Sequence, residues 1–222
     1  MNRKLLVSII ILLASFQAGW CQSKLSFGIH GGLNYNSVSG INGVKQDRNV
    51  LWINAGAHIK LHTSAHFGVK AILQYDQYGR AYGSYLLENS TGTGVVQGSV
   101  LFKPTYLNLP VLAEYSTGGK IKVNINAGLF AGLLLSNYNI TKLHEDPSDA
   151  TKITIKKATA NDRKTANFGL SIGSGVEVPI HRKCYLSIDV RDNYGLVNVY
   201  KANNTSGHTN SLSIQAGLVF RM

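Results

Sequence analysis

The chain has 222 residues, of which 44% are hydrophobic and 15% charged, and its formal net charge is +11 from 22 Lys and Arg against 11 Asp and Glu. Low charge density with ample apolar content excludes an intrinsically disordered chain, and the length suits one domain of ordinary size. The 23 glycines and 4 prolines exclude collagen-like and proline-rich segments.

The first segment is typical of an export signal. Two basic residues precede the apolar run 5–14, which is shorter than the roughly 20 residues of a membrane-spanning helix. Cys21 ends a stretch suited to signal cleavage, so we predict a signal peptide at 1–21 and one exported domain at 22–222. Attachment of lipid at Cys21 is the alternative, which the bulky Trp20 disfavours.

After the leader, the dominant pattern is an alternation with a period of two. In residues 25–35, apolar side chains hold the odd positions and small or polar side chains hold the even positions. The same alternation recurs at 50–62, 67–79, 101–115, 121–136, 165–178, 185–195 and 210–222. No segment shows a helical period. We therefore predict an all-β fold, an antiparallel transmembrane β-barrel of about eight strands that is similar to the small OmpA/OmpX barrels.

The connections between these segments alternate in length. Short turns are predicted at His62–His66, Ser116–Lys120 and Pro179–Lys183, and long loops at Asn36–Asn49, Arg80–Val100, Asn137–Lys164 and Leu196–Asn210. Outer-membrane barrels have short turns in the periplasm and long loops outside the cell, whereas a soluble β-sandwich has no reason for this sorting. The layout predicts an outer-membrane location.

Aromatic residues on the apolar face are sorted toward its two margins. Those near the long-loop ends are Tyr35, Tyr75, Phe168 and Tyr194, and those near the short-turn ends are Phe67, Tyr115 and Phe220. Between the margins the outward residues are aliphatic, as at alternate positions of 125–133. Aromatic rings at both edges of an apolar band are typical of a protein that crosses a bilayer.

The opposite face predicts an interior filled by side chains. Its glycines leave room beside large inward groups; the glycines are Gly28, Gly32, Gly56, Gly68, Gly128, Gly132, Gly169, Gly173 and Gly217, and the large groups are His30, Trp52, His58, Gln74 and Phe130. A barrel of about eight strands has an interior just wide enough for its side chains. This disfavours a general diffusion pore.

Charged residues share the inward phase. They are Lys60, Lys70, Lys122, Glu114, Glu177, Asp189 and Arg191. Because charges removed from water are tolerable only when paired, we predict a salt-bridge network across the lumen. Its predicted partners for Asp189 and Arg191 are residues such as Lys70, Lys122 or Glu177. A path for protons or ions is the alternative.

Four segments resemble the PorT-like outer-membrane β-barrel family of Bacteroidota. They are Gly31–Asn34, Tyr106–Tyr115, Ala127–Gly132 and Asp189–Asn198. The resemblance covers essentially the whole mature chain and implies an outer-membrane barrel. It also implies a local bulge at Pro110, where the family has a Leu-x-Ile/Leu-Pro pattern. The family namesake is associated with the type IX secretion system, so the resemblance implies a secretion-associated role as one option.

Chemical motifs are sparse, so we predict no enzyme activity, no catalytic residues, no cofactor and no metal. His62 and His66 bracket a predicted short turn without a third ligand. Cys184 is left without an internal disulfide partner if Cys21 is removed with the leader. The alternative function is a lipid-modifying enzyme of the outer membrane, with a site built from one of two groups: His208 with Ser206 and Ser211, or His144 with Glu145 and Ser148. A second alternative is a soluble lipocalin-like barrel, which needs an apolar interior.

The positive excess is concentrated in the third long loop. Its cations are Lys142, Lys152, Lys156, Lys157, Arg163 and Lys164, with Glu145, Asp146 and Asp149 between them. The alternation at 151–156 predicts that this hairpin extends beyond the membrane. A charged loop is usually only solvated, which is the first interpretation. The functional interpretation is contact with outer-membrane lipid, namely lipopolysaccharide phosphates, with an envelope or secretion-system protein as a further partner. We expect no nucleic acid partner and a monomer.

Overall fold

The computed structural model describes residues 25–39, 47–49, 51–88, 95–144, 152–158, 163–199 and 207–222. They form β1 (Leu25–Ser39), β2 (Asp47–Asn49), β3 (Leu51–His62), β4 (Phe67–Gln77), β5 (Arg80–Glu88), β6 (Val95–Ser116), β7 (Lys122–His144), β8 (Lys152–Ala158), β9 (Ala166–His181), β10 (Cys184–Gly195) and β11 (His208–Arg221). Within these ranges no helix has the length and hydropathy to cross a membrane. The signal peptide at 1–21 lies outside them and stays a prediction.

Eight of these strands close into a barrel. The hydrogen-bonded order runs β6, β4, β3, β1, β11, β10, β9, β7, and β7 pairs again with β6. Every pair is antiparallel, and the seam joins the first strand to the last, from Ser26 opposite Arg221 to Ser39 opposite His208. Closure gives each wall strand a hydrogen-bonded neighbour on both sides, which a bilayer requires. The predicted fold is confirmed.

The alternation in sequence becomes two faces of the wall, as β4 shows most clearly. Its buried residues are Gly68, Lys70, Ile72, Gln74 and Asp76, and its exposed residues are Phe67, Val69, Ala71, Leu73 and Tyr75. The same division holds around the barrel, where buried side chains are mostly Asn, Ser, Gln and charged groups and exposed large side chains are apolar. A soluble lipocalin-like barrel has the opposite polarity, so that alternative is wrong.

The aromatic margins lie where the sequence predicts them. Tyr35, Tyr75, Phe168 and Tyr194 are on the outer surface toward the long-connection end, and Phe67 and Tyr115 are on it near the short turns. Phe220 stacks on the outward Phe27 with ring centroids 5.4 Å apart. Rings at both edges of the apolar surface match the two interfaces of a bilayer.

Two strands are much longer than a membrane requires. β6 has 22 residues and β7 has 23, about twice the 9–11 residues of a membrane-spanning strand. Their pairing continues to Gln97 opposite His144, and β5 and β8 extend it on either side. The predicted extension at 151–156 is confirmed on β8. The prediction of a long loop at Arg80–Val100 is wrong. β-branched and aromatic residues on both arms of this segment pair as the β5–β6 hairpin.

The short turns join strands at the opposite end of the barrel. β9 continues to His181, so the turn predicted at Pro179–Lys183 is shorter and consists of Arg182 and Lys183. The β6–β7 turn contains Gly119 with a φ of 120°, a left-handed conformation that favours glycine.

β6 has no bulge at Pro110, so that expectation is wrong. The β4–β6 register is the same on both sides of this residue, with Ala71 opposite Val111 and Gln74 opposite Asn108. Proline lacks an N–H, so it interrupts the ladder hydrogen bonds without inserting an extra residue. In β6 the register shift with β7 lies instead between Thr105 and Tyr106.

Candidate functional site

The lower part of the lumen holds two acids and two lysines. Lys60 and Lys70 lie opposite each other on β3 and β4, so their charges repel unless an anion lies between them. Glu114 of β6 supplies it: one carboxylate oxygen bonds the Lys60 ammonium and the other is 3.7 Å from Lys70 Nζ. Asp189 of β10 lies on the other side of Lys70, at 3.9 Å. All four residues are at most 6% exposed.

The upper part of the lumen holds a carboxylate surrounded by amides. Asp76 accepts hydrogen bonds from Asn34 at 2.9 Å, Gln74 at 2.7 Å and Asn108 at 2.6 Å. Arg191 donates to the carbonyl oxygen of the Gln74 side chain at 2.9 Å, which connects the guanidinium to the carboxylate through one amide. Both charged groups are 2% exposed or less. Donors on several strands therefore satisfy this acid far from water.

The two clusters are balanced in charge. Lys60, Lys70 and Arg191 are cationic, and Glu114, Asp189 and Asp76 are anionic. Removing one member leaves its partner unpaired in the interior, which costs about 3–5 kcal/mol. The predicted network is present in part. Asp189 pairs with Lys70, one of its predicted partners, whereas Arg191 bonds the Gln74 amide, which is not among them.

Two histidines and two glycines fill the middle of the lumen. In the β1–β3 register Gly28 lies opposite His58, and His30 lies opposite Gly56. A Cβ added at Gly28 would lie 2.5 Å from His58 Cε1, and one at Gly56 would lie 2.8 Å from His30 Nε2. Each glycine therefore leaves the space that a ring occupies. The rings stack with centroids 5.9 Å apart.

The mouth of the barrel at the short-turn end has its own ion pair. Arg221 of β11 binds Glu177 of β9, and its guanidinium lies 4.0 Å above the Tyr185 ring of β10. Ser26 Oγ and His62 Nε2 form a hydrogen bond of 2.8 Å nearby.

Two charged residues of these networks are absent from the sequence prediction. Asp76 has the same even phase as Lys70 on β4, so the alternation alone could have identified it as inward. Arg221 continues the inward odd positions of β11. No local sequence signal pairs it with Glu177, because the two are 44 residues apart.

Among the described residues, neither the pair His62 and His66 nor the pair His208 and Ser211 forms a site. His62 bonds Ser26 whereas His66 bonds the Ser116 carbonyl oxygen, so the two rings have different partners. His208 and Ser211 have opposite phase on β11, and Ser211 is fully buried in the lumen. No group of three metal-ligating side chains occurs among the described residues. Ser206, Glu145 and Ser148 lie outside them.

A closed antiparallel barrel with an apolar outer surface, aromatic margins and a polar, ion-paired interior defines an integral membrane β-barrel. The model of a family described as outer membrane protein beta-barrel domain matches residues 16–201. The chain belongs to this family, and it is a protein of the outer membrane.

Solved structures of other small barrels are similar at low identity. Ail of Yersinia pestis, solved with the heparin analogue sucrose octasulfate, is 16% identical, with 90% of this chain and 100% of that chain covered and a TM-score of 0.41. OprG of Pseudomonas aeruginosa is 13% identical, with 90% and 97% covered and a TM-score of 0.45. A major outer membrane protein of Thermus thermophilus is 13% identical, with 89% and 99% covered and a TM-score of 0.44. No curated protein matches the sequence.

Proposed function

We propose that this protein is a non-conducting, non-enzymatic scaffold that presents a rigid sheet at the cell surface for interaction with the envelope. The observation that carries the proposal is the length of β6 and β7, whose pairing continues well past the aromatic margin. A strand pair that served only to span the bilayer would end near Tyr75 and Phe168. Ordering the strand residues beyond the margin costs conformational entropy, and a binding role gives a reason for keeping them ordered.

We call the part of the sheet that continues past the aromatic margin the raised sheet; it consists of β2, β5, β8 and the adjoining ends of β6 and β7. Its strand order is β2, β5, β6, β7, β8. β8 pairs with β7 on one side, and no described strand pairs with its other side. An unpaired strand edge offers backbone donors and acceptors to a partner. β8 also carries Lys152, Lys156 and Lys157 in its sequence. Cationic residues in an edge strand on the cell-surface side of the barrel are of the type that binds phosphate groups of lipopolysaccharide.

The ion-paired lumen supports the non-conducting part of the proposal. Arg191, Glu114 and Asp76 are 2% exposed or less although all three carry charge in their ordinary state. Water and ions would have to displace these paired groups to cross the barrel. A monomer is sufficient for this role.

A narrower assignment follows the sequence resemblance. We infer membership of the PorT-like barrels of Bacteroidota from the segments Gly31–Asn34 and Tyr106–Tyr115, and with it a secretion-associated partner for the raised sheet. Both segments lie in wall strands, so they support the barrel type more strongly than the partner.

The test compares lipopolysaccharide binding by charge variants of the full mature chain in phospholipid nanodiscs. One variant changes Lys152, Lys156 and Lys157 of β8 to Gln. The matched control uses single charges: Lys156→Gln on β8 is compared with Lys120→Gln, which removes the same charge from the β6–β7 turn at the opposite end of the barrel. We expect the triple β8 variant to bind lipopolysaccharide at least tenfold more weakly, since charge-assisted hydrogen bonds contribute about 1.5–3 kcal/mol each.

The control variant should bind lipopolysaccharide like the unmodified chain. Equal affinities of the β8 variant and the unmodified chain would contradict the lipid part of the proposal. Steady ion conductance would contradict the scaffold part.

A further inference from the structure

The periplasmic mouth of the barrel contains a cavity of about 610 Å³. It lies across the mouth, between the β3–β4 turn on one side and the β9–β10 turn on the other. The lining groups that matter are Lys122, Arg182, Lys183 and Arg221, with hydroxyl groups of the β3–β4 turn. Its volume is in the range of small-molecule sites, roughly 300–1,000 Å³.

This cavity carries an excess of positive charge. Four cationic side chains line it, and one of them, Arg221, pairs with Glu177. Neither Arg182 nor Lys183 forms an ion pair with any described residue. Arg182 and Lys183 therefore give the cavity an excess of two positive charges. The lumen above is balanced, so this excess belongs to the mouth alone.

The cavity is held in shape by groups that pack around it. Arg221 is fixed between Glu177 and the Tyr185 ring. The Arg221 backbone N–H donates to the Lys183 carbonyl oxygen at 3.0 Å, which ties the β9–β10 turn to the last strand. Two exposed cations are therefore presented on a two-residue turn whose position is set by its neighbours.

The β3–β4 turn supplies the facing wall. Ser64 Oγ accepts from the Phe67 backbone N–H at 3.0 Å, which leaves its hydroxyl hydrogen available to a ligand. Thr63 and Ser64 backbone N–H groups both donate to the Phe67 carbonyl oxygen, so the turn is compact. The Thr63 hydroxyl donates to the Phe67 carbonyl oxygen at 3.2 Å, so the Ser64 hydroxyl is the donor that this turn offers. Cations on one side and a hydroxyl on the other are donors of the kind that bind anions.

We infer that this cavity is a periplasmic binding site for phosphate groups. Phosphate carries about 1.5 to 2 negative charges at neutral pH and three acceptor oxygens, which match the charge excess better than a single carboxylate does. The group can come from a soluble phosphorylated anion of the periplasm or from a phospholipid headgroup of the inner leaflet, because the aromatic margin at Phe67 and Tyr115 marks this end of the barrel as the one at a bilayer interface.

Binding of inorganic pyrophosphate to the full mature chain in detergent micelles tests the site, measured by isothermal titration calorimetry. Arg182→Gln with Lys183→Gln should weaken binding at least tenfold, since two charge-assisted contacts are lost. The unfolding temperature of this variant should not change, because neither side chain has an ion-pair partner to lose. Binding by the unmodified chain should weaken with added salt.

A one-charge comparison removes the effect of net charge. Lys183→Gln changes the cavity, and Lys120→Gln removes the same charge from the β6–β7 turn outside it. We expect weaker pyrophosphate binding from the first and unchanged binding from the second. Equal losses in both variants, or no saturable binding by the unmodified chain, would overturn the inference.

The two sources of phosphate are separated in nanodiscs. If lipid headgroups fill the site, nanodiscs containing phosphatidylglycerol should block pyrophosphate binding, whereas phosphatidylcholine nanodiscs should block it less. If the ligand is soluble, the two nanodiscs should give equal pyrophosphate affinities. Since Lys152, Lys156 and Lys157 lie on β8 at the opposite end, failure of this site leaves the surface proposal unaffected.

Discussion

The two faces of the barrel wall are built from the same strands but follow different physical rules. On the outer face, Leu129 and Ile172 are each 64% exposed and meet lipid, where one aliphatic side chain serves nearly as well as another. On the inner face, Glu114 and Asp76 each have several named partners, and no other residue reproduces their bonds. The outer face thus requires only a class of residue, and the inner face requires particular ones.

This difference follows from the available partners. Lipid tails offer no hydrogen bonds, so an outward residue must be apolar but need not fit a specific shape. Inside the barrel, polar groups are removed from both water and lipid, so each needs a partner across the lumen. We therefore expect the same chemical change to have different consequences on the two faces.

The largest effect should come from a change that prevents both faces from forming. Deletion of 220–222 removes the Phe220 stack on Phe27, the Arg221 bond to Glu177 and the Met222 N–H bond to the Leu25 carbonyl oxygen. We expect the truncated chain to be exported but not inserted, since an open edge is not tolerated in a bilayer. Surface labelling of a tag in the β8 hairpin measures this. Normal labelling of the truncated protein would show that the seam does not depend on these residues.

The next effect compares the conversion of an acid to an amide on each face. Glu114→Gln leaves Lys60 and Lys70 without their shared anion and should lower the free energy of unfolding by about 3–5 kcal/mol. Asp192→Asn changes an outward residue of β10 and should leave stability unchanged or raise it, since an apolar surface favours the neutral group. Urea unfolding in lipid vesicles measures both. Similar losses in the two variants would remove the distinction between the faces.

A smaller effect is expected where glycine makes room for a ring. Gly56→Ala places a Cβ 2.6 Å from the Leu73 carbonyl oxygen and 2.8 Å from His30 Nε2, and such overpacking costs about 1–3 kcal/mol. Gly31→Ala is the control, since the nearest atom to its Cβ is 3.7 Å away. The same unfolding assay should show a loss for Gly56→Ala and little change for Gly31→Ala. A loss confined to Gly31→Ala would reverse the assignment of the two faces.

The smallest effect compares one conservative change on each face. Ile72 is fully buried in the lumen and Ile172 is 64% exposed to lipid. Ile72→Leu changes shape in a packed interior and should cost up to about 1.5 kcal/mol, whereas Ile172→Leu should be nearly neutral. Unfolding midpoints for the two variants provide the measurement. A larger loss from the outward substitution would contradict the account.

The sequence predicts the two faces well because side-chain direction in a strand depends only on position. Gly28 and His58 are therefore identified as inward without knowledge of the register. Partners across the lumen are a different matter: Arg191 and Gln74 are 117 residues apart, and their contact depends on barrel size and strand tilt. The raised sheet is only half predicted, because polar residues within 80–100 resemble a loop although the segment pairs as a hairpin.

The central claim, that paired side chains close the lumen, is tested most directly by the conductance of the purified protein in planar lipid bilayers. The account predicts no steady conductance steps for the unmodified chain, because Lys60, Lys70, Glu114 and Asp189 occupy the lumen as ion pairs. Large, steady conductance at low voltage from the correctly folded barrel would contradict it.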